Sequence, residues 1–169
     1  MSKPLIIYYS RNGENYSNGE IINLPIGNAE RITNYIQEKT GADTFKVETI
    51  QEYPKDYMKT TEIAEEELKN NARPELKKYL DNINEYDEIY ICSPNWWETL
   101  PMAMFSQLEK LDFEQKTVKT VITHEGSEIG RVMRDIHKLC EGADIKKAIA
   151  IHGSNIDSEI TKVDCLINE

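Results

Sequence analysis

Short apolar runs and amphipathic stripes take turns along this chain, and that alternation most restricts how it can fold. Leu5–Tyr9, Ile89–Cys92, Val118–Ile122 and Ile145–Ile151 read as strands, and Phe45 and Val47 alternate with polar neighbours in a fifth. Among them, apolar residues recur every three or four positions: Ala29, Ile32 and Ile36; Tyr57, Thr61, Ala64 and Leu68; Met104, Leu108 and Leu111; Ile129, Val132, Met133, Ile136, Leu139 and Cys140; Ile156, Ile160, Val163 and Ile167. That spacing predicts helices. Strands separated by helices need crossover connections, so they lie parallel and are covered on both faces. The predicted fold class is α/β: a three-layer α/β/α sandwich on a five-stranded parallel sheet. The Phe45/Val47 run, apolar on one side only, belongs at an edge, and the fuller runs belong in the middle. Strand order 2-1-3-4-5 satisfies both. In such a sheet the ligand crevice opens at the carboxyl ends of strands 1 and 3, where the winding reverses. Function is therefore expected in the loops after Tyr9, Cys92 and Ile122.

The 169 residues suit one domain, 1–169, and no Pro/Gly/Ser-rich linker divides them. No run approaches the ~20 apolar residues of a membrane helix, and the N-terminal apolar run is too short for a signal peptide. Lys and Arg total 20 against 30 Asp and Glu, a net charge of -10. That balance argues against nucleic acid or an anionic membrane as partner. The three cysteines, Cys92, Cys140 and Cys165, are far apart and form no metal-binding spacing. No metal is expected, and a reducing, cytoplasmic compartment fits best.

The loop after strand 1 begins Ser10-Arg11-Asn12-Gly13, and the next helix begins near Gly27-Asn28-Ala29-Glu30. A helix N-terminus offers unpaired N–H groups and a positive dipole end, which attract phosphate. Ser10 and Asn12 add donors, Arg11 is the one cation, and Asn28 suits an N-cap. Neither a Walker loop nor a GxGxxG fingerprint is present. Residues 13–27 make this loop far longer than the roughly 2–6 residues usual between strand and helix. Asn18-Gly19 is a hairpin signal, so a flap is expected there, packing Ile21, Ile22 and Leu24 on the body. The loop after strand 3, Ser93-Pro94-Asn95-Trp96-Trp97-Glu98-Thr99-Leu100-Pro101, holds both tryptophans. A proline-bounded Trp pair suits stacking on a planar heteroaromatic ligand; one indole is expected to plug the core and the other to stack. The loop after strand 4 reads Thr123-His124-Glu125-Gly126-Ser127. Gly126 permits close backbone approach, Ser127 could cap the next helix, and His124 and Glu125 could exchange protons near a ligand.

Together these loops resemble the flavodoxin superfamily, in particular its small bacterial flavodoxin-like branch. The resemblance rests on Tyr9-Ser10-Arg11-Asn12-Gly13, on Pro94-Asn95-Trp96-Trp97, the most specific segment, and on Thr123-His124-Glu125-Gly126-Ser127. It implies one non-covalent FMN as cofactor. By position, Ser10, Arg11, Asn12, Asn28 and Ala29 would surround the phosphate. Pro94, Asn95, Trp96 and Trp97 would flank the isoalloxazine, and Thr123, His124, Glu125 and Gly126 would meet it from the other side. Two residues depart from the pattern. Ala29 stands where relatives often carry a hydroxyl, and Glu98 stands where they tend to carry a small residue. A carboxylate close to the flavin would lower its potential or hinder the ring.

The expected function is electron transfer by an FMN protein, with a redox partner protein or a small-molecule acceptor. An NAD(P)H-dependent quinone or flavin reductase is the alternative, with His124 as its candidate proton donor. A cofactor-free interaction domain on the same fold is the alternative of another class. Several members of this branch pair across the flavin loops, so the resemblance leaves a homodimer open.

Overall fold

The computed structural model describes residues 3–169. Strands β1 (Leu5–Tyr8), β4 (Asp43–Lys46), β5 (Glu88–Pro94) and β6 (Thr117–His124) lie side by side in the order β4-β1-β5-β6, every pair parallel. Beyond β6 lie β7 (Asp144–Ile145) and β8 (Ile149–His152), both paired to it. The order is the expected one, but the sheet has six strands rather than five, because the run Ile145–Ile151 is interrupted. Val118 pairs with Ile145 and Val121 with Ile149, so three steps along β6 face four along its neighbour. One residue is extra, the definition of a β-bulge. Lys146 and Lys147 fall in the bulge, where a charged side chain can leave the sheet; Lys146 Nζ reaches Asp144 at 3.2 Å. Opposite it, Lys119 is buried and paired with Glu88 at 3.2 Å.

The period of two along the strands assigns the two faces. Leu5, Ile7, Ile89, Ile91, Val118 and Ile122 pack under α3 (Met102–Leu108) and α4 (Val132–Leu139). Ile6, Tyr90, Cys92, Val121 and Ile151 pack under α1 (Asn28–Thr40) and the C-terminal turns, which include α5 (Ile156–Glu159) and α6 (Asp164–Ile167). Each fully buried aliphatic side chain contributes roughly 1.5–3 kcal/mol, so the two clusters hold the carboxyl ends of β1, β5 and β6 rigidly side by side. No helix among the described residues is long and apolar enough to cross a membrane.

The flap is a hairpin of β2 (Gly13–Ser17) and β3 (Glu20–Leu24), turning through Asn18 (φ 51°) and Gly19 (φ 88°). It forms its own two-stranded sheet. Ile22 and Leu24 are half-buried, but Ile21 is 47% exposed, contrary to expectation, because adjacent residues of a strand face opposite ways. The N-cap of α1 is Gly27, not Asn28, which is the first residue of the helix. Ser127 does not cap α4, which starts five residues later at Val132. Helix α2 (Tyr57–Lys69) is capped by the Asp56 carboxylate, which accepts from Lys59 N–H at 2.9 Å.

Candidate functional site

At the carboxyl ends of β5 and β6, beneath the flap and against α2, lies a slot of about 440 Å³. Nine expected residues line it: Arg11, Asn28, Pro94, Asn95, Trp96, Trp97, Thr123, His124 and Glu125. A wider hollow of about 1020 Å³ between α2, α3 and α4 contains none of these loop residues.

The loop after β5 is a tight two-residue hairpin. Trp96 N–H donates to Thr99 O at 2.8 Å, and Thr99 N–H returns a bond to Trp96 O at 3.2 Å. Both central residues are left-handed, Trp97 at φ 54° and Glu98 at φ 71°. For non-glycine residues this costs about 1–2 kcal/mol each, and such strain persists only where surroundings over-determine it. They do so here. Asn95 Oδ1 accepts from Glu98 N–H at 2.8 Å, and Asn95 Nδ2 donates to Glu128 O at 2.7 Å. Arg131 N–H donates to Glu98 O at 2.6 Å, and Thr99 Oγ1 donates to the buried Asp135 carboxylate.

The two indoles differ in their surroundings. Trp96 packs edge-on between Tyr9 (5.1 Å between centroids) and Tyr53 (5.2 Å). Tyr53 Oη donates to Glu67 at 2.7 Å, and burial pushes the Glu67 carboxyl above its usual range. Trp97 is 45% exposed, with its Nε1–H donating to Thr61 O at 2.9 Å, so the turn presents its ring at the slot.

In the loop after β1 the side chains bond mainly to the protein itself. The Arg11 guanidinium donates to three backbone carbonyls, Glu14 at 2.9 Å, Pro54 at 3.1 Å and Lys55 at 3.0 Å. It straps the base of the flap to the start of α2. Ser10 and Asn12 border a neighbouring hollow rather than the slot. Ser10 Oγ accepts from Glu30 N–H at 3.1 Å, filling one open donor of α1. Ala29 is on the buried face of α1, and Gly126, at φ 126°, lies outside the lining.

In the loop after β6, His124 Nδ1 accepts from Gly126 N–H at 2.9 Å, which places the ring proton of the neutral form on Nε2. Its ring meets His152 edge-on at 5.2 Å. Burial and then the neighbouring His152 hold His124 below the usual histidine range. A histidine with a lowered folded-state pKa leaves the unfolded chain as the better proton binder, so stability falls with acidification from about pH 6.5 down to the folded pKa. His124→Gln is expected to remove part of that slope, as read from urea denaturation at pH 7.5 and pH 5.5. Glu125 is tied on both oxygens: Oε1 accepts from Asn18 N–H at 2.7 Å and Oε2 from Ser154 N–H at 2.9 Å.

The sequence reading missed one wall of the slot. Asn15 and Tyr16 come from the flap, and Tyr57, Met58, Thr60, Thr61 and Ala64 come from α2. The stripe Tyr57, Thr61, Ala64 read only as a helix, yet its hydroxyl-bearing and aromatic members were the available sign that this face lines a slot. Tyr16 stacks on Tyr57 across this wall at 6.4 Å.

The sequence matches the flavodoxin family over residues 24–164, starting at the last residue of the flap. No curated protein matches the chain. Among solved structures, a Bacteroides uniformis protein provisionally classed as a flavoprotein superposes with a TM-score of 0.73 at 21% identity, over 96% of this chain and 98% of that one. A Lactobacillus acidophilus flavoprotein in complex with FMN gives 0.61 at 22% identity, over 94% and 98%. A Streptococcus pneumoniae flavodoxin gives 0.59 at 14% identity, over 99% and 97%. At these identities the likeness establishes a shared fold.

Proposed function

This chain belongs to the flavodoxin family, and from that premise we propose that it holds one FMN without a covalent bond in the slot and passes electrons through it. The carrying observation is the Trp96–Thr99 hairpin, whose two left-handed residues present an indole at the carboxyl end of the sheet. A rigid, strained turn aimed at a slot is what a planar ligand needs and what packing alone would not require.

The donor set fits the phosphate of such a ligand. Helix α1 has 13 residues and brings its N-terminus close to the loop after β1. A β-carbon at Gly27 would lie 2.2 Å from Ser10 Oγ and 2.5 Å from Arg11 O, so the approach requires glycine. Asn28 stands on the first turn with its amide beside the slot, and the helix dipole favours an anion there. Three of the five Arg11 N–H donors are taken by carbonyls, so neutral groups would do most of the holding of the phosphate.

When bound, the flavin supplies the redox chemistry; the chain supplies position and surroundings. Trp97 offers a ring face, and Trp96 closes the floor between Tyr9 and Tyr53. His124, neutral and with Nε2 carrying the proton, offers a hydrogen-bond donor at the slot. The second reading is an NAD(P)H-dependent quinone or flavin reductase, in which His124 would give a proton to a reduced substrate only as the imidazolium, the form its burial disfavours. The electron partner is a redox protein in the first reading and a small-molecule acceptor in the second. Three free thiols suit a reducing, cytoplasmic setting.

The purified protein is expected to be yellow, or to turn yellow with added FMN, and acid should release FMN rather than FAD. Steady NADH or NADPH consumption with a quinone would select the reductase. A colourless protein that refuses FMN would leave the interaction domain.

A further inference from the structure

Hydrogen bonds tie the flap to the body at its base and at its tip. At its base Glu14 Oε1 accepts from Tyr57 N–H at 3.0 Å, beside the Arg11 strap. At its tip Asn18 N–H donates to Glu125 Oε1 at 2.7 Å. The other Glu125 oxygen accepts from Ser154 N–H at 2.9 Å and lies 3.3 Å from His152 Nδ1. One carboxylate thus joins the flap, the loop after β6 and the turn after β8. Its side chain is only 15% exposed.

Two backbone N–H groups converging on one anion form the kind of concavity that also receives a phosphate. Here the protein's own carboxylate fills it. The place is close to the start of α1: a β-carbon on Gly153 would lie 2.6 Å from Asn28 Nδ2 and 3.2 Å from Glu125 Oε2. Glu125 and Asn28 therefore share one corner of the slot, the corner to which the α1 dipole draws an anion.

We propose that Glu125 is a specificity-determining residue that latches the flap over this corner and disfavours a phosphorylated flavin relative to an unphosphorylated one. The proposal rests on the slot being a flavin site. A phosphate and a carboxylate cannot accept from the same two amides. Two anions confined in one half-buried corner also repel more strongly than in water. FMN must therefore make Glu125 give up its amides or tolerate its charge, whereas riboflavin meets neither demand.

Two variants separate charge from latch. Glu125→Gln keeps an acceptor for Asn18 and removes the charge; Glu125→Ala removes both. Dissociation constants for FMN and riboflavin are measured by flavin fluorescence on the full chain. In Glu125→Gln the preference for FMN over riboflavin is expected to rise by about ten-fold, the scale of one removed neighbouring charge. An unchanged or lowered preference overturns the proposal, since it would mean that the latched carboxylate helps to enclose the phosphate. Amide hydrogen exchange without any flavin tests the latch independently. Asn18 and Ser154 should exchange faster in Glu125→Ala than in the parent, and added inorganic phosphate should slow them again in the variant alone. Unchanged exchange at Asn18 removes the latch. Failure of parent and variants to take up either flavin would count against the flavin site, while exchange still decides the latch.

Discussion

Replacing Gly130 with alanine is expected to lower both stability and flavin affinity, although residue 130 is not part of the slot lining. Gly130 is left-handed at φ 56°, and a β-carbon there would meet Glu98 O at 2.7 Å, its Cα at 3.0 Å and its carbonyl carbon at 3.1 Å. These are backbone atoms, so no side chain can rotate away. The conformational penalty for alanine is about 1 kcal/mol, and forced overpacking adds roughly 1–3 kcal/mol. For a domain whose total stability is about 5–15 kcal/mol, that is a large fraction. The atoms that must retreat belong to the left-handed turn carrying Trp97, so the indole moves with them. A loss of about 2–4 kcal/mol in urea denaturation and at least a ten-fold weaker FMN constant are expected. Gly126→Ala is the comparison: its φ of 126° is also unfavourable, but nothing lies within 4 Å of its β-carbon. It should show strain without displacement of the turn. If Gly130→Ala bound FMN like the parent, the packing of this turn would not govern the site.

Trp97→Ala is expected to weaken FMN binding by about 10–100-fold, since removing one stacking aromatic costs ~1–3 kcal/mol. The fold should hardly notice, because the side chain is nearly half exposed and its Nε1–H bonds a backbone carbonyl, Thr61 O. Trp97→Gly sharpens the point. Glycine relieves the left-handed strain at φ 54°, so thermal denaturation should show a melting temperature equal to or above the parent's while FMN binding is lost to the same degree. Trp96→Ala should do the reverse in emphasis, lowering stability by about 2–3 kcal/mol because Tyr9 and Tyr53 both pack on its ring. An unchanged FMN constant in Trp97→Ala would remove that indole from the site.

What was legible in the sequence follows periodicity and turn chemistry. The apolar runs of β1 and β5 and the one-sided β4 placed the strands and their order, because burial on one face or both writes itself directly into residue type. The hairpin at Asn18-Gly19 was readable for the same local reason, whereas the left-handed turn at Trp97 and Glu98 was not, since neither residue type signals a positive φ. The bulge between β7 and β8 was hidden, since Ile145–Ile151 is a run that only its pairing with β6 divides. Arg11 was placed at the slot, but its strap to the start of α2 was not legible, because the carbonyls of Pro54 and Lys55 that take its donors lie more than forty residues away in sequence. The α2 wall was missed because Tyr57 and Ala64 carry the same apolar signal toward a ligand slot as toward a core.

The bulge has a consequence for how crowded copies of this protein treat one another. A parallel sheet ends in two strands with unpaired backbone groups, and each is a template on which another chain could add. On one side the edge is β4, four residues long with Thr44 and Lys46 facing solvent. On the other, the extra residue between Ile145 and Ile149 breaks the ladder and sets two lysines where a flat surface would otherwise invite stacking. Neither margin offers a long, regular, apolar rail, so the molecule guards itself against fibrous self-association through the same irregularity that divides its last strand.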